Sequence, residues 1–349
     1  MQDIFNKIIK LVKDNTFEVN DNCVKFSDSN YKAFKFDKNN FKIINNIDSK
    51  SKIAFIDGGS SEIIKSANFS LSLIRVYYGV YLENKKIKSG KKDFYSFTYA
   101  EDKDNELFYE TEIISPNGKI IPDKDDLLLS SFDETIKQGI VRANISNMAN
   151  LVRRFSELRI ASVLTEQLES NDIIVLDGSL QCTFTNERKY MDELYQKAIG
   201  KNIIVCGLSK TTTLMTDRGN SIANALNKFG VTGKWLYNPV VEIKSNEHKA
   251  DMSFVKLHER SKHIFRFEIY KEQKEKLNDV VNILSSNCKD PVFVGYPYGL
   301  IEADRNARVS NNEKGMMQTF FSVKFGKDWE KIKDSLTSID AHEVLDKIT

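Results

Sequence analysis

Ile53-Ala-Phe-Ile-Asp-Gly-Gly-Ser-Ser61 and Ile173-Ile-Val-Leu-Asp-Gly-Ser179 are the two stretches on which the reading of this chain turns. Each is a short apolar run, the pattern of a buried strand, that stops at an Asp-Gly turn. A third run, Asn202-Ile-Ile-Val-Cys206, ends in Gly207-Leu-Ser-Lys210. Helical patterns separate the three, which points to an α/β sheet buried on both faces. Around this core, Phe69–Leu82, Asp93–Tyr99 and Phe108–Ile114 are apolar, β-branched and aromatic segments joined by charged turns, the mark of an antiparallel meander beside the first strand. From Ser131 the period becomes helical, with Ser131 or Asp133 as the cap and a pattern running through Ile145, Met148, Val152, Phe155 and Leu158 to Leu168. Further on, Ile264–Tyr270 reads as a strand, Pro291–Val294 as a short strand and Gly299–Val309 as a helix. The first 45 residues form an amphipathic helix (Ile4, Ile8, Ile9, Leu11, Val12) and a polar stretch with alternating aromatics. Core packing or dimerisation is the reading preferred for that helix, and contact with a partner protein is the alternative.

With 349 residues, 41% hydrophobic and 29% charged, and only 5 prolines, the chain has the composition of a globular protein and not of a disordered one. No apolar run approaches the roughly 20 residues that span a bilayer. Met1–Lys13 mixes Lys7, Lys10 and Lys13 with apolar residues and lacks a small-residue cleavage site, so the expectation is a cytoplasmic protein with no membrane partner. Cys23, Cys182, Cys206 and Cys288 lie far apart without a Cys-x-x-Cys pair, which argues against a zinc ribbon or a disulfide scaffold. A net charge of +2 neither implies nor excludes a nucleic-acid partner.

Asp57 and Asp177 occupy equivalent strand-end positions, the edge where open α/β sheets bind ligands, and the glycine after each lets a phosphate or backbone come close. Singly, each is more simply a turn residue; as a pair they favour a site. Glu157 shares a helix face with Arg154, Ala161, Leu164 and Leu168, so a carboxylate is aimed into an apolar stripe and needs a cation, either Arg154 or a metal. Asp304 shares a face with Leu300 and Ala307 and has Arg308 one turn on, leaving an Asp–Arg pair and a functional acid evenly balanced; Glu302 lies off that face. Acids converging from separate elements repel one another, and hard divalent cations relieve this. Two such ions about 3.5–4 Å apart would activate water and stabilise the leaving oxygen of a phosphodiester, implying Mg²⁺ or Mn²⁺. His248, His258, His263 and His342 lack zinc-ligand spacing. P-loop and Gly-x-Ser-x-Gly motifs are missing, and Lys210 after its strand is a weak phosphate-contact signal against an ordinary loop.

Ile56-Asp-Gly-Gly-Ser60, Arg153-Arg-Phe-Ser-Glu157, Val175-Leu-Asp-Gly-Ser-Leu180, Gly207-Leu-Ser-Lys210 and Gly295-Tyr-Pro-Tyr-Gly-Leu-Ile-Glu-Ala-Asp-Arg305 occur in that order, and together they resemble the NurA nucleases. The resemblance covers roughly residues 50–325, taken as the nuclease domain, and leaves 1–45 as an N-terminal arm and 326–349 as a helical tail. It implies a ribonuclease-H-like mixed central sheet flanked by helices, and an Mn²⁺-dependent (or Mg²⁺-dependent) deoxyribonuclease of the two-metal type. Such enzymes act as single-strand endonucleases and 5′-to-3′ exonucleases on single-stranded and end-processed double-stranded DNA. They work as homodimers with a HerA-type hexameric translocase in double-strand-break end resection. Carried over by motif, Asp57 and Asp177 are the primary metal ligands, Glu157 the third acid, and Lys210 the group that neutralises the scissile phosphate. Asp304 and Tyr296 then belong to the C-terminal part of the site, with Asp304 also among the metal ligands. Gly299 departs from the family, which often has proline there. Lysines of the Glu83–Asp93 loop, Lys85, Lys86, Lys88, Lys91 and Lys92, are possible guides for the DNA strand, though a basic hairpin is commonly just solvated. Two other readings stay open: an inactive nucleic-acid-binding or scaffold subunit of the same fold, and an actin-like ATP-dependent phosphotransferase.

Overall fold

The computed structural model describes residues 1–17, 21–115 and 121–332. In chain order these form α1 (Gln2–Phe17), β1 (Tyr31–Ala33), β2 (Phe41–Ile43), β3 (Ile53–Lys65), β4 (Phe69–Leu82), β5 (Lys85–Lys103), β6 (Glu106–Ile114) and β7 (Leu128–Ser130). There follow α2 (Met148–Leu164), β8 (Ile173–Asp177), α3 (Glu187–Gly200), β9 (Ile204–Ser209), α4 (Ile222–Asn227), β10 (Trp235–Tyr237), β11 (Val241–Ile243), β12 (Ala250–Lys256) and β13 (Phe265–Tyr270). Three helices close the described chain: α5 (Leu277–Ser285), α6 (Tyr298–Ala307) and α7 (Asn311–Phe325). One large sheet runs in the order β2-β10-β12-β13-β9-β8-β3-β4-β5-β6-β7, and β1 pairs with β11 apart from it. At its centre β3, β8 and β9 are parallel, while the flanking pairs are antiparallel, including the meander β3-β4-β5-β6-β7. This is the expected ribonuclease-H-like mixed sheet flanked by helices.

Strand alternation sorts the side chains into two cores. Ala54, Ile56, Leu176 and Val205 join Leu151, Phe155 and Leu194 on the α2–α3 face. On the opposite face Phe55, Val175, Cys206 and Phe267 meet Val280 of α5 and Leu300 of α6. Burial on both sides explains why these strands read as continuous apolar runs.

Several local expectations are corrected. β3 does not stop at its glycines but continues to Lys65. Gly58 and Gly59 are there for close approach: a Cβ on Gly58 would lie 2.5 Å from Glu157 Oε1, and one on Gly59 2.2 Å from the Ala307 carbonyl oxygen. α2 begins at Met148, well after Ser131, because residues 131–147 are spent on turns. There the Asp133 and Asn144 side chains accept from the Thr135 and Ser146 N–H groups, and Gly139 is left-handed at φ +62. Pro291–Val294 is a turn and not a strand. All five lysines of the supposed 83–93 loop lie on β5, since Glu83 and Asn84 alone, at φ 48 and 62, make the hairpin turn.

The apolar residues Ile4, Ile8, Ile9, Leu11 and Val12 of α1 are between 50% and 62% exposed, so core packing is not their role among the described residues. All four cysteines are free thiols. No helix among the described residues is long and apolar enough to cross a membrane. Residues 333–349 of the expected tail, His342 included, lie outside the described residues.

Candidate active site

The parallel pairing of β3 with β8 ends at Ile56 opposite Leu176, and the next residue on each strand is an aspartate. Asp57 and Asp177 therefore face each other where the strands part. α6 crosses this point carrying Asp304. Two close approaches seat it: the Gly59 contact with Ala307 at its end, and Gly299 at its start, where a Cβ would lie 2.0 Å from the Phe55 ring. That contact leaves no room for a side chain at position 299. Pro297 has no side-chain oxygen to cap α6, and Asn287 does so from outside, its carbonyl and Oδ1 accepting from the Tyr298 and Gly299 N–H groups.

One carboxylate oxygen from each of Asp57, Asp177 and Asp304 lies within 4.8 Å of the others. Lys210, just beyond β9, brings its Nζ to 2.6 Å from Asp177 Oδ2, 2.7 Å from Asp304 Oδ1 and 3.9 Å from Asp57 Oδ2. The Tyr296 hydroxyl donates to Asp177 Oδ1 at 3.3 Å, and the Arg308 guanidinium is 3.5 Å from Asp304.

Burial, followed by the charges of Asp177 and Glu157, pushes the Asp57 carboxyl up to about 8, with Lys210 opposing. Burial works against the Lys210 ammonium, but Asp177, Asp304 and Asp57 outweigh it and raise its pKa. Burial and the neighbouring carboxylates, Asp177 foremost, also raise that of Tyr296, so its hydroxyl stays a donor. Three converging carboxylates supply hard oxygen atoms only, and the strain of their charges shows in Asp57. This donor set fits a divalent cation such as Mg²⁺ or Mn²⁺.

Glu157 stands apart from that trio. It reaches the sheet from the α2 face, whereas Asp57 points to the α6 face, as successive strand residues must. Only 3% exposed, Glu157 accepts from Arg153 Nη1 at 2.6 Å, and Arg153 also donates to the Gly58 carbonyl. Arg154, one of the two cations the sequence offered for Glu157, is 3.5 Å away and engaged chiefly elsewhere: its Nε donates to Glu187 Oε1 at 2.7 Å and its Nη2 to the Ser179 carbonyl. Glu302 accepts from the Tyr77 and Tyr81 hydroxyls and pairs with Lys86, consistent with its placement off the Asp304 face. His258 and His263 do not join the acidic group.

Residues that hold the Asp177 turn escaped the sequence reading. The Leu180 N–H donates to Glu268 Oε2 at 2.7 Å. Glu268 is paired with Arg266 and lies 3.1 Å from His248 Nε2, and the Tyr31 hydroxyl meets the other ring nitrogen at 3.0 Å. Burial disfavours the Glu268 charge, but Arg266, His248 and the Leu180 N–H outweigh it and hold the carboxyl at about 2. The available signal was Arg266-x-Glu268, two charges on one face of an otherwise apolar strand.

The sequence matches the family described as NurA domain over residues 51–309. No curated protein sequence matches. Among solved structures, the NurA nuclease from Sulfolobus solfataricus is similar at a TM-score of 0.51 and 15% identity, over 93% of this chain and 95% of that one. At that identity the likeness speaks for the fold. The catalytic domain of human Endonuclease V is similar at a TM-score of 0.36 and 9% identity, over 82% of this chain and 93% of that one, too distant a likeness to bear on this chain.

Proposed function

The chain belongs to the NurA family, and from that premise we propose that it is a divalent-metal-dependent deoxyribonuclease with its centre at Asp57, Asp177 and Asp304. The observation that carries the reading is the convergence of these three carboxylates, from two strands and a helix, beside the Lys210 ammonium.

Asp57, Asp177 and Asp304 would hold the cation, and Glu157, the third acid of the family motif, would add its charge beside Asp57. Mn²⁺ or Mg²⁺, if held there, would supply a Lewis acid able to lower the pKa of water and to stabilise a leaving phosphodiester oxygen. Lys210 offers a charged donor to a non-bridging phosphate oxygen in a half-buried setting, where such a contact is stronger than in water. Tyr296, kept protonated, orients Asp177 through its hydroxyl. Arg153 and Arg154 hold Glu157 and the Asp177 turn, so that the acids are fixed before substrate arrives. The substrate on this reading is single-stranded and end-processed double-stranded DNA, cut internally and from 5′ ends. A homodimer working with a HerA-type translocase in end resection, in the cytoplasm, completes the proposal.

The test is Asp57→Ala on single-stranded DNA with Mn²⁺. Cleavage is expected to fall by about a hundredfold or more with circular dichroism unchanged. Undiminished cleavage would remove Asp57 from the centre and with it the metal reading.

A further inference from the structure

On the nuclease reading, the strand being cut must run past Asp304, and we infer that it crosses the outer face of α6, where Tyr298 stacks on a base and Arg305 and Arg308 hold its phosphates. At 100° per residue, Leu300, Ala303 and Ala307 form the buried side of α6, and Tyr298, Ile301, Arg305 and Arg308 line its crest. Asp304 lies on one flank of that crest and Glu302 on the other.

The crest is both aromatic and positive. Tyr298 is 41% exposed, and its ring is fixed edge-on against Tyr81, with centroids 6.2 Å apart and an 89° interplanar angle. Its backbone N–H is anchored to Asn287, so little freedom is lost when a base packs on it. Beside it, Tyr298, Ile301, Glu302, Arg305 and Asn306 line an open depression of about 280 Å³, large enough to admit an aromatic ring. Arg305 has no ion-pair partner among the described residues, and Arg308 at the site end reaches Asp304 at 3.5 Å. The one acid in the depression, Glu302, is already paired with Lys86 and accepts from the Tyr77 and Tyr81 hydroxyls.

Past that flank the positive surface continues. Asp57, Tyr77 and Lys91 are opposed in one row across β3, β4 and β5, which puts the exposed Lys91 on the α6 face about 10 Å from the Asp57 position. An aromatic face flanked by cations at phosphate reach is how proteins hold single strands without reading their sequence. A duplex keeps its bases stacked on each other, and the Tyr298 ring would have nothing to receive.

The test is anisotropy of two fluorescent oligomers of equal length, oligothymidylate and its abasic counterpart, with metal chelated so that nothing is cut. Tyr298→Ala is expected to weaken oligothymidylate binding on the order of tenfold and abasic binding far less, while Tyr298→Phe retains both. Arg305→Ala weakens both and reduces the slope of log affinity against log salt by about 0.7. Equal losses on the two oligomers, or none, from Tyr298→Ala overturn the stacking role while leaving the nuclease reading intact. Binding of neither oligomer by the wild-type protein overturns both.

Discussion

Asp57 is crowded by acids, and its proton is where that crowding can be measured. With the carboxyl pushed to about 8, a cation that binds there must displace a proton. Mn²⁺ affinity is therefore expected to rise with pH up to about 8 and then level, with proton release visible by calorimetry in buffers of different ionisation enthalpy. A pH-independent affinity would contradict this. The sign for stability follows: the folded pKa exceeds the unfolded value near 3.9, so the contribution is full below about pH 4 and is lost as pH rises through 8. In chelator, Asp57→Asn should accordingly melt higher than wild type at pH 8 by more than it does at pH 5. Asp57 and Asp177 were legible as a pair because each closes a short apolar run and is followed by glycine, and both are local features. The partner of Glu157 was not: Arg153 and Arg154 both lie within helical reach of it, and only the depth at which Glu187 and the Ser179 carbonyl sit draws Arg154 away.

Glycines show how elements are pressed together. At Gly299 a methyl group would enter the Phe55 ring, and the near neighbours are a buried side chain and a helix that carries Asp304. Gly299→Ala is expected to cost roughly 1–3 kcal/mol in urea unfolding, the range for overpacking a core, and to lower cleavage by shifting Asp304. Gly315, inside α7 with nothing within 4 Å of a Cβ, is the contrast: Gly315→Ala should stabilise by about 0.5–1 kcal/mol. The strand pair β13–β9 supplies an acid-sensitive clamp. Glu268, held at about 2, contributes stability that is present above the unfolded value near 4.3 and is lost as pH falls through 2. Glu268→Gln is expected to lower the melting temperature at pH 7 by several degrees and to lessen the loss between pH 4.5 and 2; parallel wild-type and variant acid curves would refute this. Strand identity was readable from apolar runs, whereas the continuation of β3 through Gly58 and Gly59 was not, because Asp-Gly serves equally in a turn and beneath a crossing helix.

For the whole molecule, a cation that binds only the folded arrangement must stabilise it. Mn²⁺ at about 100 times its dissociation constant should add about 2.7 kcal/mol, read as a rise in melting temperature. Asp177→Ala should keep the fold and lose that rise, and a variant still stabilised by Mn²⁺ would place the cation elsewhere. The chain by itself determined that a both-faces-buried α/β sheet forms, that a meander flanks its first strand, and that Asp57 and Asp177 end equivalent runs, since periodicity and turn residues are written within a few positions of each other. Only tertiary structure decided that Asp304 completes the trio while Glu157 approaches from the other face, and that Glu268 and Arg154 brace the turn between them. Those relations span 88 residues between Leu180 and Glu268 and more than two hundred between Asp57 and Asp304, and they depend on which strands pair and where a helix crosses, which no local pattern encodes.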